Sequence, residues 1–90
     1  MLKTIRIIAS GKVQGVFYRQ STKTKALELG VTGTVKNLLN GDVEVIATGS
    51  EEQLKSLVSF CKEGPPHANV DGLFTEEIPM KDFTGFQIIH

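Results

Sequence analysis

Only two segments of this chain carry helical signals, and strand-like segments stand on both sides of each. The clearer helix is "SEEQLKSLVSFCKEG". Ser50 is a natural N-cap, and Gln53 stands three residues on, where a capping box needs it. Glu51 and Glu52 complement the positive end of the helix dipole. Leu54, Leu57, Val58 and Cys61 fall at i, i+3, i+4 and i+7, which makes one apolar stripe. Gly64, Pro65 and Pro66 stop the helix. The other helix spans about Tyr18 to Leu29, with Gly30 where a C′ glycine belongs. Its stripe is thin: Thr22, Ala26 and Leu29.

The remaining segments alternate in character as strands do. From Lys3 to Ser10, Ile5, Ile7 and Ala9 fall on one face and Arg6, Ile8 and Ser10 on the other. Val31 to Leu38 and Asp42 to Thr48 are two further strands, joined by "LNGD". Asn-Gly is a strong hairpin signal because both residues tolerate positive φ. A longer strand covers roughly Asn69 to Ile78, and "GFQIIH" closes the chain as a short terminal strand. The order is β-α-β-β-α-β plus one strand. Two helices cannot cover both faces of such a sheet, so both belong on one face. The expected fold is a ferredoxin-like α+β sandwich with a mainly antiparallel sheet. No linker, repeat or low-complexity stretch interrupts it, so residues 1–90 read as a single domain.

Composition narrows the function. Ten basic and ten acidic residues give a formal net charge of zero. A general nucleic-acid binder needs excess Lys and Arg to displace phosphate counterions, so nucleic acid is not an expected partner. An RNA-recognition surface also needs exposed aromatic and basic residues on its central strands, and "DVEVIATG" supplies neither. The lone Cys61 cannot form an intramolecular disulfide and fits a reducing compartment. "MLKTIRIIAS" has too short an apolar run for a signal peptide, and no run reaches the length of a membrane span. The expectation is a cytoplasmic, monomeric protein without membrane contact.

"GKVQGVFYRQ" carries the chemistry. A glycine-containing loop that runs from a strand into a helix collects backbone N–H groups without partners. Gly11 and Gly15 let the backbone curl so that these amides converge. The helix dipole adds positive charge at the same place, which makes an anion site. Arg19 lies in the first helical turn, where a cation opposes the dipole. A bound anion would offset that conflict, and the guanidinium fork suits phosphate oxygens. The plain alternative stays open: glycines at such loops often serve the turn alone, and a surface arginine is often only solvated. Asn37, taken by itself, reads as a residue at a strand end before a turn.

"SGKVQGVFYRQ" resembles the signature of the acylphosphatases, approximately G-(R/K)-V-Q-G-V-(F/Y)-(F/Y)-R. "LGVTGTVKNLLNGDVEVIATG" resembles the family's second signature, in which a glycine, a valine and an asparagine alternate before a hairpin and a V-E-V strand. "GPPHANVD" and "FTGFQII" match as well, so the resemblance covers nearly the whole chain. One departure is Thr34, where the family often has Trp. It reads as a packing change that leaves the outer face of that strand in question.

The resemblance implies the ferredoxin-like sandwich and the hydrolysis of carboxyl-phosphate anhydrides to a carboxylate and inorganic phosphate. By the same resemblance, the loop Gly11, Lys12, Val13, Gln14, Gly15, Val16 and Phe17 holds the phosphate together with Arg19, and Asn37 positions the attacking water. The chemistry is compatible. An acyl phosphate has a good leaving group, so phosphoryl transfer needs mainly positioning and charge stabilisation. Neither a metal nor a cofactor is expected. A phosphate-binding or small-molecule regulatory module without turnover is the rival reading; it would share the loop but has no use for Asn37. His67 and His90 lie too far apart in sequence to indicate a metal site. Cys61 reads as a buried apolar residue and Asp42 and Asp71 as turn residues. Phe17 and Tyr18 read as core packing beneath or beside the loop.

Overall fold

The computed structural model describes all ninety residues, Met1–His90. Seven elements follow one another: β1 (Leu2–Lys12), α1 (Tyr18–Leu29), β2 (Thr32–Asn37), β3 (Val43–Ser50), α2 (Glu51–Glu63), β4 (Asn69–Ile78) and β5 (Phe86–Ile88). They form the expected sandwich, a five-stranded sheet in the order β4-β1-β3-β2-β5 with two helices. Neither helix is long and apolar enough to cross a membrane.

The alternation read in the sequence decides what is buried. Ile7, Ala9, Val35, Val43, Val45 and Ala47 are fully buried on the helix side of the sheet, against Leu54, Leu57 and Cys61 of α2. α1 contributes Tyr18, Thr22 and Ala26. Its end is fastened by backbone instead: Val31 N–H donates to the Ala26 carbonyl at 2.9 Å and Gly30 N–H to the Leu27 carbonyl at 3.2 Å. That is the paired Schellman pattern, with Gly30 in the left-handed conformation at φ 78°.

β1 runs further than the sequence indicates. Gly11 and Lys12 remain in the strand and pair with Val70 and Asn69 of β4 after a register shift between Ser10 and Gly11. Gly11 has φ 111°, and a Cβ there would collide with the Asn69 carbonyl. Its lack of a side chain therefore serves the close approach of β4, and the expectation that Gly11 curls the loop is corrected. The loop proper is Val13–Phe17.

The last strand is short and terminal, as expected. β5 lies parallel to β2, with Gly33 opposite Phe86 and Val35 opposite Ile88. To reach it, the chain after β4 crosses the far face of the sheet near Thr4 and Thr48. Both threonines are buried and their hydroxyls meet at 2.6 Å. Thr48 Oγ1 donates to the Lys81 carbonyl at 2.8 Å, and Lys81 N–H donates to Thr4 Oγ1 at 2.9 Å. Two polar residues are thus buried at little cost, because each has a partner. Elsewhere on that face Arg6 pairs with Glu44 at 2.8 Å and Glu76 at 3.0 Å. Thr34 is half-buried there, between Ile46 and Gln87.

Candidate active site

The residues of the loop alternate in burial, which fixes the loop without closing it. Val13, Val16 and Tyr18 are buried; Gly15 and Phe17 point out. Tyr18 anchors the far end, its hydroxyl donating to the Cys61 carbonyl at 2.6 Å inside the core. Gly15 at φ 75° and Phe17 at φ 63° both take the left-handed conformation, so the chain doubles back before the helix. Phe17 is the one non-glycine residue to do so.

From Gln14 onward the backbone N–H groups of this turn have no protein partner. Val13 N–H reaches the Gly11 carbonyl at 3.1 Å, and the next amide with an acceptor is Ser21, on the Phe17 carbonyl at 2.9 Å. Between them Gln14, Gly15, Val16, Phe17, Tyr18, Arg19 and Gln20 donate to no carbonyl and no side chain. No side chain caps α1, and its first turn has no acidic residue. Consecutive free amides at a helix start form an anion-binding nest. Arg19 is half-buried beside them and pairs with no carboxylate. A cavity of about 380 Å³ holds Val13, Gly15, Phe17, Tyr18, Arg19, Gln20, Ile88 and His90 in its wall. A larger hollow of about 500 Å³ lies between α2 and β4 and contains none of the expected site residues.

Asn37 reaches this region by a different route. It ends β2 on the helix side of the sheet, opposite Val43. Gln14 joins its strand end to the loop: Gln14 Nε2 donates to the carbonyls of Leu38 and Asp42, both at 2.8 Å. Two carbonyl acceptors can be served only by an NH₂ group, which fixes the orientation of that amide. Leu38 N–H in turn donates to the Asp42 carbonyl at 2.8 Å, and the tip is closed by Asp42 N–H on Asn40 Oδ1 at 3.0 Å. Asn37 Oδ1 is buried and accepts no hydrogen bond. An unmade buried acceptor of this kind costs on the order of 1–3 kcal/mol; Thr22 Oγ1 is the other buried side-chain atom without a protein partner.

Of the residues singled out in the sequence, Val13, Gly15, Phe17 and Arg19 therefore line one cavity, and Gln14 ties that loop to the strand end of Asn37. Lys12 is exposed at the end of β1, and Val16 faces the core. Tyr18 is core, as expected, but Phe17 is 77% exposed. Sequence reasoning missed the Gln14 latch, the bare Phe17 ring and the approach of Ile88 and His90 to Arg19. His67 is exposed and is not in the wall of that cavity. No three His, Cys, Asp or Glu residues cluster. Burial pushes the Cys61 thiol up to about 11 and raises the Tyr18 phenol far above its ordinary value.

A ferredoxin-like sandwich with an uncapped first helix and an unpaired arginine in its first turn defines a class: small α+β domains whose first helix starts with open amides. Comparison with known proteins makes the class specific. Residues 5–88 match the Acylphosphatase family model. An acylphosphatase of Marinobacter nauticus is 51% identical over 85 residues, covering 93% of this chain and 92% of the relative. The structure of an acylphosphatase from Coxiella burnetii superposes with a TM-score of 0.94 at 44% identity, over 98% of this chain and 93% of that one. The crystal structure of acylphosphatase from Bacillus subtilis gives the same TM-score at 35% identity over the full length of both chains. The chain belongs to the acylphosphatase family, and with that membership it is a hydrolase acting on acyl phosphates.

Proposed function

We propose that the nest and Arg19 hold the phosphoryl group of an acyl phosphate and that Asn37 orients the water that attacks it. The observation that carries this reading is the run of seven free amides, Gln14 to Gln20, on the same turn as an unpaired arginine. Convergent N–H groups and a guanidinium fork match the equatorial oxygens, where charge gathers in phosphoryl transfer. Asn37 can accept from a water through Oδ1, which lacks a donor, and can donate through its NH₂. It cannot remove a proton near neutral pH, so the proton passes to a phosphate oxygen of the substrate. The water oxygen bonds to phosphorus, the bridging P–O bond breaks, and its electron pair leaves with the carboxylate. The products are one carboxylate and one inorganic phosphate.

The scheme is written for a monomer, and the lone Cys61 is in keeping with the cytoplasm. No step calls on a metal or cofactor. The test is direct: acetyl phosphate is incubated with the protein in EDTA, and its disappearance is followed against a buffer blank. Hydrolysis well above the blank is expected. A rate equal to the blank, with phosphate still bound, would leave a phosphate-binding module. Activity lost in EDTA and restored by a divalent ion would overturn the metal-free scheme.

A further inference from the structure

The larger hollow, about 500 Å³ between α2 and β4, shares no residue with the cavity that holds Arg19. Its outer bank is a sheet edge. β4 pairs with β1 on one side and with nothing on the other, so alternate residues of Asn69–Ile78 leave backbone N–H and C=O groups without a strand partner. Edges of this length are commonly blunted by proline or lysine, and β4 has neither. From Phe74 to Glu77 every residue is exposed.

Charge across the hollow is uneven. Each carboxylate in its wall has a cation: Glu51 and Glu77 share Lys3 at 3.3 and 4.0 Å, and Glu76 takes Arg6 at 3.0 Å. Lys55 and Lys62, on the opposite bank, form no ion pair. They stand at i and i+7 on α2 with Ser59 between them at i+4, on one side of the helix and about 10 Å apart along its axis. The hollow therefore has two spare positive charges and no spare negative one. On the reverse face of β4, Phe74 is 55% exposed and stands opposite Ile8 in the register.

We propose that β4 and α2 form a docking groove for an extended acidic peptide segment of another protein, added to the sheet as a sixth strand. An extended chain is the ligand that uses a free strand edge. Its side chains alternate. Every second one enters the hollow, where carboxylates meet Lys55, Lys62 and the Ser59 hydroxyl. Those between lie beside Phe74, which favours apolar ones. Residues on one side of an extended chain recur about every 7 Å, so two or three of them span the lysine row. A second copy of this chain fits less well. The carboxylates Glu76 and Glu77 of its β4 are already held by its own Arg6 and Lys3, so Lys55 and Lys62 would stay unmatched. The groove lies apart from the phosphate site and does not depend on how that site is read.

The experiment titrates ¹⁵N-labelled protein by NMR with the acetylated, amidated heptapeptide Ser-Glu-Val-Glu-Tyr-Glu-Ser, which sets glutamate on one face and the apolar residues on the other. Amide shifts should concentrate on alternate residues of Asn69–Ile78 and on Lys55 to Lys62, and leave the loop Val13–Phe17 unmoved. Lys55→Ala combined with Lys62→Ala should weaken binding about five- to tenfold, as two exposed ion pairs allow. Raising the salt to about 0.5 M should weaken it in the same way, and Phe74→Ser by about threefold. The peptide with lysine at the glutamate positions should not bind. Two further peptides, N-methylated at one or the other set of alternate residues, should differ, because only one row of N–H groups faces β4. No shifts along β4 at millimolar peptide, equal binding of the lysine peptide, or equal behaviour of the two methylated peptides overturns the groove. So does a concentration-dependent dimer of the protein alone that moves the same amides, which assigns the edge to a second copy.

Discussion

The sheet delivers the chain into a helix twice, and the two junctions are built on opposite principles. At α2, Ser50 Oγ accepts from Gln53 N–H at 3.2 Å while Gln53 Oε1 accepts from Ser50 N–H at 2.8 Å. Glu51 and Glu52 add negative charge to the first turn. Gln53 Nε2 also reaches the Leu29 carbonyl at 2.8 Å and so ties the start of α2 to the end of α1. At α1 a left-handed Phe17 stands in the cap position, no side chain caps the amides, and the first turn carries Arg19. One junction satisfies its own donors; the other keeps them open. One helix start is capped completely by its own side chains, and the other has no side-chain cap at all.

The largest expected contrast is kinetic. Arg19→Ala should lose both phosphate binding and turnover, and Arg19→Lys should restore little, since a point charge does not reproduce the fork. Asn37→Ala should keep phosphate affinity and lose on the order of 10²–10³ in kcat, as for a preorganised polar group used in the transition state. Circular dichroism first establishes that each variant is folded. Normal turnover in Asn37→Ala, or wild-type phosphate affinity in Arg19→Ala, would remove the distinction between the two roles.

Inorganic phosphate should behave as the missing cap of α1. At about 100 times its dissociation constant it should stabilise the protein by about 2.7 kcal/mol and compete with substrate. A melting temperature that responds equally to matched chloride would show that the open junction holds no phosphate.

Gln14 tests whether the open junction must be held rigid. Gln14→Ala removes two hydrogen bonds, about 2 kcal/mol at a typical value of about 1 each. Gln14→Glu should be worse than alanine, because it sets a carboxylate against two carbonyl oxygens. The signature to measure is a drop in kcat in a protein that remains folded. Equal kinetics in all three forms would mean that the loop keeps its shape without the latch.

The anchor below the open junction should respond to alkali. The buried Cys61 thiol keeps its proton to about 11, against an ordinary value of 9.0. Between those values the folded state holds a proton that the unfolded state has lost. Stability is therefore fully present below pH 9 and declines toward pH 11, by up to about 1.4 kcal/mol per pH unit. Tyr18 shifts in the same direction and extends the decline. Denaturant midpoints at pH 8, 9, 10 and 11 measure it; a flat profile would place the thiol in water. The smallest effect belongs to the closed junction. Ser50→Ala should cost about 1 kcal/mol, a fall in Tm of about 4–8 °C for a domain near this size, with kcat unchanged. Any loss of activity would mean that the two junctions are coupled.

What could be read from the sequence depended on how local its cause was. The capping box at Ser50, the Gly30 stop and the Asn40-Gly41 turn each use residues a few positions apart, and each appears where the pattern placed it. The order and faces of the elements followed, because alternation of period two or 3.6 is itself a burial signal. What the pattern did not reach lies where distant segments meet. Gly11 answers to the Asn69 carbonyl, Gln14 to carbonyls 24 and 28 residues away, and β5 to β2; none of these leaves a periodic trace. Phe17 was misplaced for a related reason. An aromatic residue beside buried valines looks like core until its backbone φ is known. Arg19 and Asn37 were legible through the family resemblance far more than through physics, since a lone arginine or asparagine has many ordinary uses.

The bulge at Gly11 belongs to a pairing with a further consequence, for how the chain comes together in time. β4 meets β1 across separations that run from 57 residues, Lys12 to Asn69, to 74, Thr4 to Ile78. β1 is made before its second neighbour, which follows only after α1, β2, β3 and α2. Until then one whole edge of β1 stays unpaired, and the hairpin of β2 and β3 can form while the sheet cannot close. Contacts of such long range place the domain among the slower two-state folders, on a scale of milliseconds to seconds. The strand that leads into the loop is thus completed only after every element from α1 to α2 has been made.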